Sequence, residues 1–306
     1  MIKRLVVWGN WQDGNSLVWI WKAFYENARK LGVSAVWAED EPDGYRPQAG
    51  DTVLAANVWD RHLGEAVPDV DYVTHNLNVI HPLCQTVEPN RLLRLQVWTD
   101  DARGEDWGLF RRYDRAGRTL YQPWGTDLLA EEFMEPIYNP QSRNAVFIGS
   151  VWNERYQGVE QGNFAVIREL EKVLAEHGLR LLPEAGLAEI PRLQLSNVET
   201  VEAIRGARLA PAFAGDWQVS KNLIPCRPLK NVSYGALGLT NVPAFQQLYG
   251  GWCPTLGTVA EMIESALALK RTEYLEVVRE QQRAVSHWTY REALEAISQA
   301  LEEGRT

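Results

Sequence analysis

Between Ser220 and Asn241 the chain reads SKNLIPCRPLKNVSYGALGLTN, and three cations, Lys221, Arg227 and Lys230, fall within ten residues of it. The chain as a whole is acidic, with a formal net charge of -9, so this cluster runs against its background. The chemistry it suits is the binding of a diphosphate. A helix N-terminus presents free N–H groups and a partial positive charge, and arginine grips phosphate oxygens through two parallel N–H donors. A solvated basic loop is the alternative. Breaking a bond to a diphosphate leaves negative charge behind, which fixed cations and helix N–H groups stabilise. Asp100-Asp101 is the nearest approach to a metal-holding acidic pair, but it follows a first-half strand and then meets Arg103. Fixed cations, and no metal, are therefore expected to carry that charge.

Other candidates lie at strand ends, where doubly wound folds place their ligands. The loop Gly9-Asn10-Trp11-Gln12-Asp13-Gly14-Asn15-Ser16 follows the first strand. In it Asp13 is either a general base toward an acceptor hydroxyl or a cap for the following helix, and Gly14 and Asn15 are candidate substrate contacts. His75 ends another first-half strand and is the second candidate base, against an ordinary structural role. Trp124 and Asp127 lie near the expected cleft, and Trp152 follows the Gly149-Ser150 turn. The chain holds 13 tryptophans, a residue suited both to core packing and to the apolar faces of sugar rings.

These residues need elements to hold them. Residues 3–9 (KRLVVWG) read as a buried strand, 17–31 as a helix with apolar steps of three and four closed by Gly32, and 34–38 as a second strand. That order is a βαβ unit and predicts a parallel sheet. Strands are expected at 51–56, 71–75 and 92–98, with loop and short helix over 99–120, and a linker over 128–143 that carries Pro136 and Pro140. A fresh strand starts at 144. Helix is expected over 164–177 and 198–207, and strand over 179–182 and 208–213. A loop running into a helix covers 223–234, a turn and strand 235–241, and helices 258–269, 272–286 and 290–303. The fold class is thus α/β with two Rossmann-like, doubly wound domains, residues 1–140 on the acceptor side and 141–306, with the closing helices, on the nucleotide side.

The run Arg227-Pro228-Leu229-Lys230-Asn231-Val232-Ser233-Tyr234-Gly235-Ala236-Leu237-Gly238-Leu239-Thr240-Asn241 resembles the R-x-F-E-A-x-A-x-G-x-x-x-x-T-D signature of GT-B glycosyltransferases, above all the CgeB-like group of the glycosyltransferase 1/4 clan. Phe147-Ile148-Gly149-Ser150 is similar to the F-x-G-S turn of that family's nucleotide domain. Ser286-His287-Trp288-Thr289-Tyr290-Arg291 is similar to the H-T-Y-x-x-R element heading its last helix. The matches run in the family's order over about residues 144–300, and the first half matches only in its α/β pattern.

The resemblance implies a GT-B architecture and transfer of a sugar from a nucleoside diphosphate, GDP- or UDP-linked, to a glycan, lipid-linked or protein acceptor. It places Gly149 and Ser150 at the donor phosphates, Arg227 and Lys221 at the diphosphate, and Thr240 at the end of a strand facing the donor. Asn231 and Asn241 fall inside the matched run. Lys230 departs from the pattern. The family's usual Glu there accepts ribose hydroxyls, whereas a charged Lys only donates, so Lys230 is expected at a phosphate.

Composition closes several doors. The charge balance argues against a nucleic-acid partner. Cys84, Cys226 and Cys253 are odd in number and widely spaced, which argues against a disulfide framework or a zinc site. The first apolar run, Leu5 to Trp8, is too short for a signal peptide or membrane span, so the cytoplasm is the expected compartment. Two other readings of the same architecture are a nucleotide-sugar epimerase and a non-catalytic two-lobed sugar-binding protein. The cationic segment 221–230 counts against the latter.

Overall fold

The structure, a computed structural model, describes residues 2–8, 16–38, 46–55, 66–75, 87, 91–97, 113–149, 151, 155–156, 159–160, 162–182, 197–221, 223–249 and 257–305. The chain divides into two compact units. One holds the described residues up to Val97, then 113–127 and 289–305, and the other holds the described residues of 128–288.

The first unit is built on β1 (Arg4–Trp8), α1 (Ser16–Lys30), β2 (Ser34–Trp37), β3 (Thr52–Ala55), β4 (Asp71–His75), β5 (Leu92–Gln96), β6 (Tyr113–Asp114) and β7 (Thr119–Tyr121). Its seven strands run in the order β2-β1-β3-β4-β5-β7-β6. All pairs are parallel except β6 with β7. The strands are short apolar runs because both faces are covered: Leu5, Val6 and Val7 of β1 and all of β3 are buried. The order reverses direction between β1 and β3, the crossover of a doubly wound, Rossmann-like α/β sheet. α1 buries Ile20, Trp21, Phe24 and Ala28 at helical steps.

Of the stretch 99–120 expected to be loop and short helix, the described part, 113–120, lies in the β6–β7 hairpin, and 99–112 lie outside the described residues. Its turn, Arg115–Arg118, takes its shape from Ala116 N–H donating to Asp114 Oδ1 at 3.1 Å and Thr119 Oγ1 donating to Gly117 C=O at 3.0 Å. Its register is set by distant β5, where Arg94 N–H donates to Arg118 C=O at 2.9 Å.

The second unit holds β8 (Asn144–Val146), a two-residue hairpin pair β9 (Arg155–Tyr156) and β10 (Val159–Glu160), α2 (Phe164–Glu176), β11 (Arg180–Leu182), α3 (Asn197–Gly206), α4 (Asp216–Ser220), α5 (Cys226–Ser233), α6 (Pro243–Leu248), α7 (Val259–Ala268) and α8 (Arg271–Val285). β8 pairs in parallel with β11, and the segment 208–213 lies along the other side of β8 through Arg208 N–H to Asn144 C=O (2.8 Å) and Val146 N–H to Leu209 C=O (3.0 Å). Beyond it lies 237–241, joined through Ala212 N–H to Leu239 C=O at 2.8 Å. The βαβ theme therefore recurs, with an apolar core that includes Phe147, Ile167, Leu170, Leu239, Ile263 and Val278. The segment 235–241 was expected as turn and strand. The turn is present at Gly235 and Ala236, but 237–241 forms no strand ladder of its own, and α4, α6 and the β9–β10 pair are additions that no apolar period announces.

The last helix, α9 (Tyr290–Arg305), groups with the first unit, although the linear order of the chain puts it with the second half. Thr289 caps it in a Thr-x-x-Glu box with Glu292, whose Oε2 accepts Thr289 N–H at 3.0 Å. Tyr290 is buried with its ring 4.3 Å from that of Phe24 on α1. Thr126 and Thr289 form an isolated parallel bridge, so these two segments of the first unit run side by side. No helix among the described residues is long and apolar enough to cross a membrane.

Candidate anion-binding site

Helix α5 begins at Pro225, an N-cap with extended φ -70 and ψ 155 and no side-chain cap bond. A helix start carries four N–H groups without intrahelical partners, but here the cap and the third helical residue, Pro228, are prolines and have none. Of the first positions of that turn only Cys226 and Arg227 carry a backbone N–H at all, so the helix end offers less than its position promises. Most of the positive charge at this end must come from the Arg227 side chain.

Arg227 as a residue keeps some exposure, yet its Nη1 is buried and makes no hydrogen bond. The guanidinium carbon sits 4.6 Å from the centroid of the Phe147 ring, a cation–π contact that holds the plane in place. Burial pushes the guanidinium below its ordinary pKa, with neighbouring Cys226 opposing. Gly149 closes the other side. Its φ is +150, and a Cβ there would lie 2.7 Å from Arg227 Nη1 and 3.0 Å from Cδ and Cζ, so only glycine lets the turn after β8 approach so closely. A desolvated cation with an unpaired, buried donor beside a bare backbone turn has the chemistry of an anion site.

Two more turns are fixed at the same sheet edge. Asn241 Oδ1 accepts Ala214 N–H and its Nδ2 donates to Ala214 C=O, both at 2.8 Å. The next residue, Gly215, is pressed on the turn before α2, where a Cβ would collide with Gly162 C=O. Thr240 Oγ1 donates to Ala212 C=O at 3.0 Å, and Asn231 Nδ2 to Ala210 C=O at 2.6 Å. The side chains of Asn231, Thr240 and Asn241, expected at the ligand, are thus bonded to the 210–214 segment and brace the site. α5 ends in a Schellman turn: Gly235 N–H donates to Val232 C=O and Ala236 N–H to Asn231 C=O, both at 2.9 Å. Gly235, at φ +85, leaves no room for a Cβ beside Glu135 C=O.

Of the other expected site residues, Lys230 lies on α5 one turn beyond Arg227, and Lys221 ends α4; both are half-buried. His75 is the last residue of β4, in register with Leu95; its side chain lies outside the described residues. So do Asp13, Gly14, Asn15, Ser150 and Trp152, and the Asp100-Asp101 pair. Trp124 is buried in the first unit, edge-on to Trp21 at 5.2 Å.

Phe147 was named only as part of the F-x-G-S turn and not as a platform for Arg227, and the proline pair around Cys226 and the Gly215 approach were not singled out from sequence. Each has a signal: an aromatic at a strand end, Pro-Cys-Arg-Pro at a helix start, and a glycine directly after an apolar strand. No family model matches the chain, and no characterised protein matches it significantly in sequence.

Proposed function

We propose that the protein is a glycosyltransferase of the GT-B type, moving a sugar from a nucleoside diphosphate, GDP- or UDP-linked, to a hydroxyl acceptor. The observation that carries this is the buried Arg227 Nη1 without a hydrogen-bond partner beside Gly149. An unpaired buried donor is costly, and a diphosphate oxygen is a suitable acceptor for it. The parallel-strand edge supports the reading, because α/β folds of this kind bind nucleotides there.

The chemistry follows from the leaving group. As the bond between the anomeric carbon and the diphosphate oxygen breaks, the electron pair stays on the diphosphate. Arg227, its guanidinium stacked on Phe147, supplies the compensating positive charge. Lys221 and Lys230 add charge from the neighbouring turns. The acceptor oxygen bonds to the anomeric carbon as the diphosphate leaves, and its proton passes to a base, for which Asp13 and His75 are the proposed residues. Because the compensating charge is a fixed side chain, transfer proceeds in EDTA. Loss of activity in EDTA with recovery on adding manganese would sink that part of the reading.

The deciding experiment is a thermal-shift panel of UDP, GDP, ADP, CMP and free sugars, followed by donor hydrolysis with and without acceptors. Stabilisation by one nucleoside diphosphate, lost in Arg227→Ala, is expected. A response to free sugar alone overturns the proposal.

A further inference from the structure

Helix α8 presents a buried stripe of Tyr274, Val278, Gln281 and Val285, the spacing of a core-facing helix. Gln281 interrupts its apolar character and is fully buried. Its amide meets one backbone residue with both ends: Oε1 accepts Gly238 N–H at 2.8 Å, and Nε2 donates to Gly238 C=O at 3.0 Å. The side chain supplies from a helix the two bonds that a neighbouring strand would supply in a sheet.

Gly238 is bare because a Cβ there would lie 2.6 Å from Val232 Cγ2, 2.8 Å from Tyr249 OH and 3.1 Å from Gln281 Oε1. Next along α8, Gln282 Nε2 donates to Val232 C=O at 3.1 Å and to Met134 C=O at 2.8 Å. Helix α8 therefore grips the last turn of the helix that carries Arg227, and also the start of the 237–241 segment. The far end of that segment, Asn241, holds Ala214 just before Gly215.

We infer that Gln281 is a positioning residue for the anion site: its clamp on Gly238 sets where α5 presents Arg227 and where the Ala214–Gly215 turn lies. The inference rests on the reading of that site as phosphate-binding. An eight-residue helix is stiff, so a shift at its C-terminal end is carried to its N-terminus. A clamp lost from Gly238 leaves two buried backbone groups that must move to find partners. A neutral amide of this length matches both groups, one as donor and one as acceptor, whereas an apolar side chain matches neither. An ionised carboxylate keeps the bond from N–H and faces C=O without a proton to offer, so the Gln281→Glu comparison follows binding on both sides of its titration.

Binding of inorganic pyrophosphate, measured by titration calorimetry well below each protein's melting temperature, tests this on the unsubstituted chain, Gln281→Met, Gln281→Glu and Arg227→Met. Both Gln281 variants are expected to bind roughly tenfold more weakly with unchanged near-ultraviolet circular dichroism. Should Gln281→Met not fold, Gln281→Glu, which keeps one of the two bonds, decides. A Gln281 variant that melts earlier but binds pyrophosphate as tightly as the parent, while Arg227→Met loses it, overturns the positioning role and leaves the site standing. No pyrophosphate binding by the unsubstituted protein overturns both.

Discussion

At the scale of the residue, Arg227 is a compromise between folding and binding. Withdrawing a charged group from water costs several kcal/mol per ion, while its contact with Phe147 returns about 0.5–2 kcal/mol. The first term wins, so Arg227→Met is expected to hold or raise the unfolding free energy, by about 1 kcal/mol, while pyrophosphate affinity falls at least about tenfold. Urea denaturation and calorimetry check the two halves together. A variant that loses stability and keeps its affinity contradicts the assignment. Gly149→Ala is expected to act oppositely on stability, since φ +150 and the close approach to Arg227 both penalise a Cβ; a loss of about 1–3 kcal/mol follows. Tyr274 supplies a pH signature for the same unit. Burial pushes its hydroxyl up to about 12, against the lowering effect of the bond it accepts from Leu237 N–H. In the unfolded chain tyrosine ionises near 10, so above that pH the unfolded state binds fewer protons than the folded one. Stability present below about pH 10 is therefore lost between about pH 10 and 12, by roughly 2–3 kcal/mol at the upper end. Denaturation midpoints of Tyr274→Phe against the parent across that window should converge as pH rises.

At the scale of the element, the first sheet is held at its far edge by arginines on the end of α9. Arg118 donates to Leu92 C=O at 2.8 Å and to Gly304 C=O at 3.0 Å, and Arg115 donates to Glu303 C=O at 3.0 Å. Arg305 reaches the buried carboxylate of Asp71, which Arg91 also holds. Cations on the open carbonyls of a helix C-terminus satisfy acceptors that the helix cannot. Arg118→Met should cost about 2 kcal/mol and raise amide exchange over residues 300–305; protection there equal to the parent's contradicts the capping role. The same hairpin marks a limit of reading the chain by eye. β1 to β5 and α1 are legible because burial on both faces, or on one stripe, imposes an apolar period. β6 and β7 are two and three residues long, and they are strands because β5 and α9 lie beside them, which no local pattern encodes. The site was legible to a similar depth. Arg227 was read from the charge cluster, and Gly149 only through the resemblance of the Phe147–Ser150 turn. That Asn231, Thr240 and Asn241 turn their side chains to the 210–214 backbone depends on contacts between segments up to 28 residues apart, and polar residues of these types serve ligands and backbone equally well.

At the scale of the whole molecule, the described chain crosses between its units at Asp127–Leu128 and at Trp288–Thr289, so the last helix returns to complete the first unit. Tyr290, Ala293, Leu294, Ile297, Ala300 and Leu301 form its buried face, and each fully buried large apolar side chain contributes about 1.5–3 kcal/mol. Removing that face withdraws on the order of 5 kcal/mol or more, comparable with the entire stability of an ordinary domain. The anion site draws on Phe147, Gly149, Gly215, Arg227 and Gln281, all from the second unit. A chain ending after Trp288 should therefore lose hydrogen-exchange protection in β1 to β5 and still bind pyrophosphate within about threefold of the full chain. The two effects separate only if each unit carries its own core. Truncation that abolishes pyrophosphate binding while the second unit's amides stay protected would show that the site is not complete within that unit.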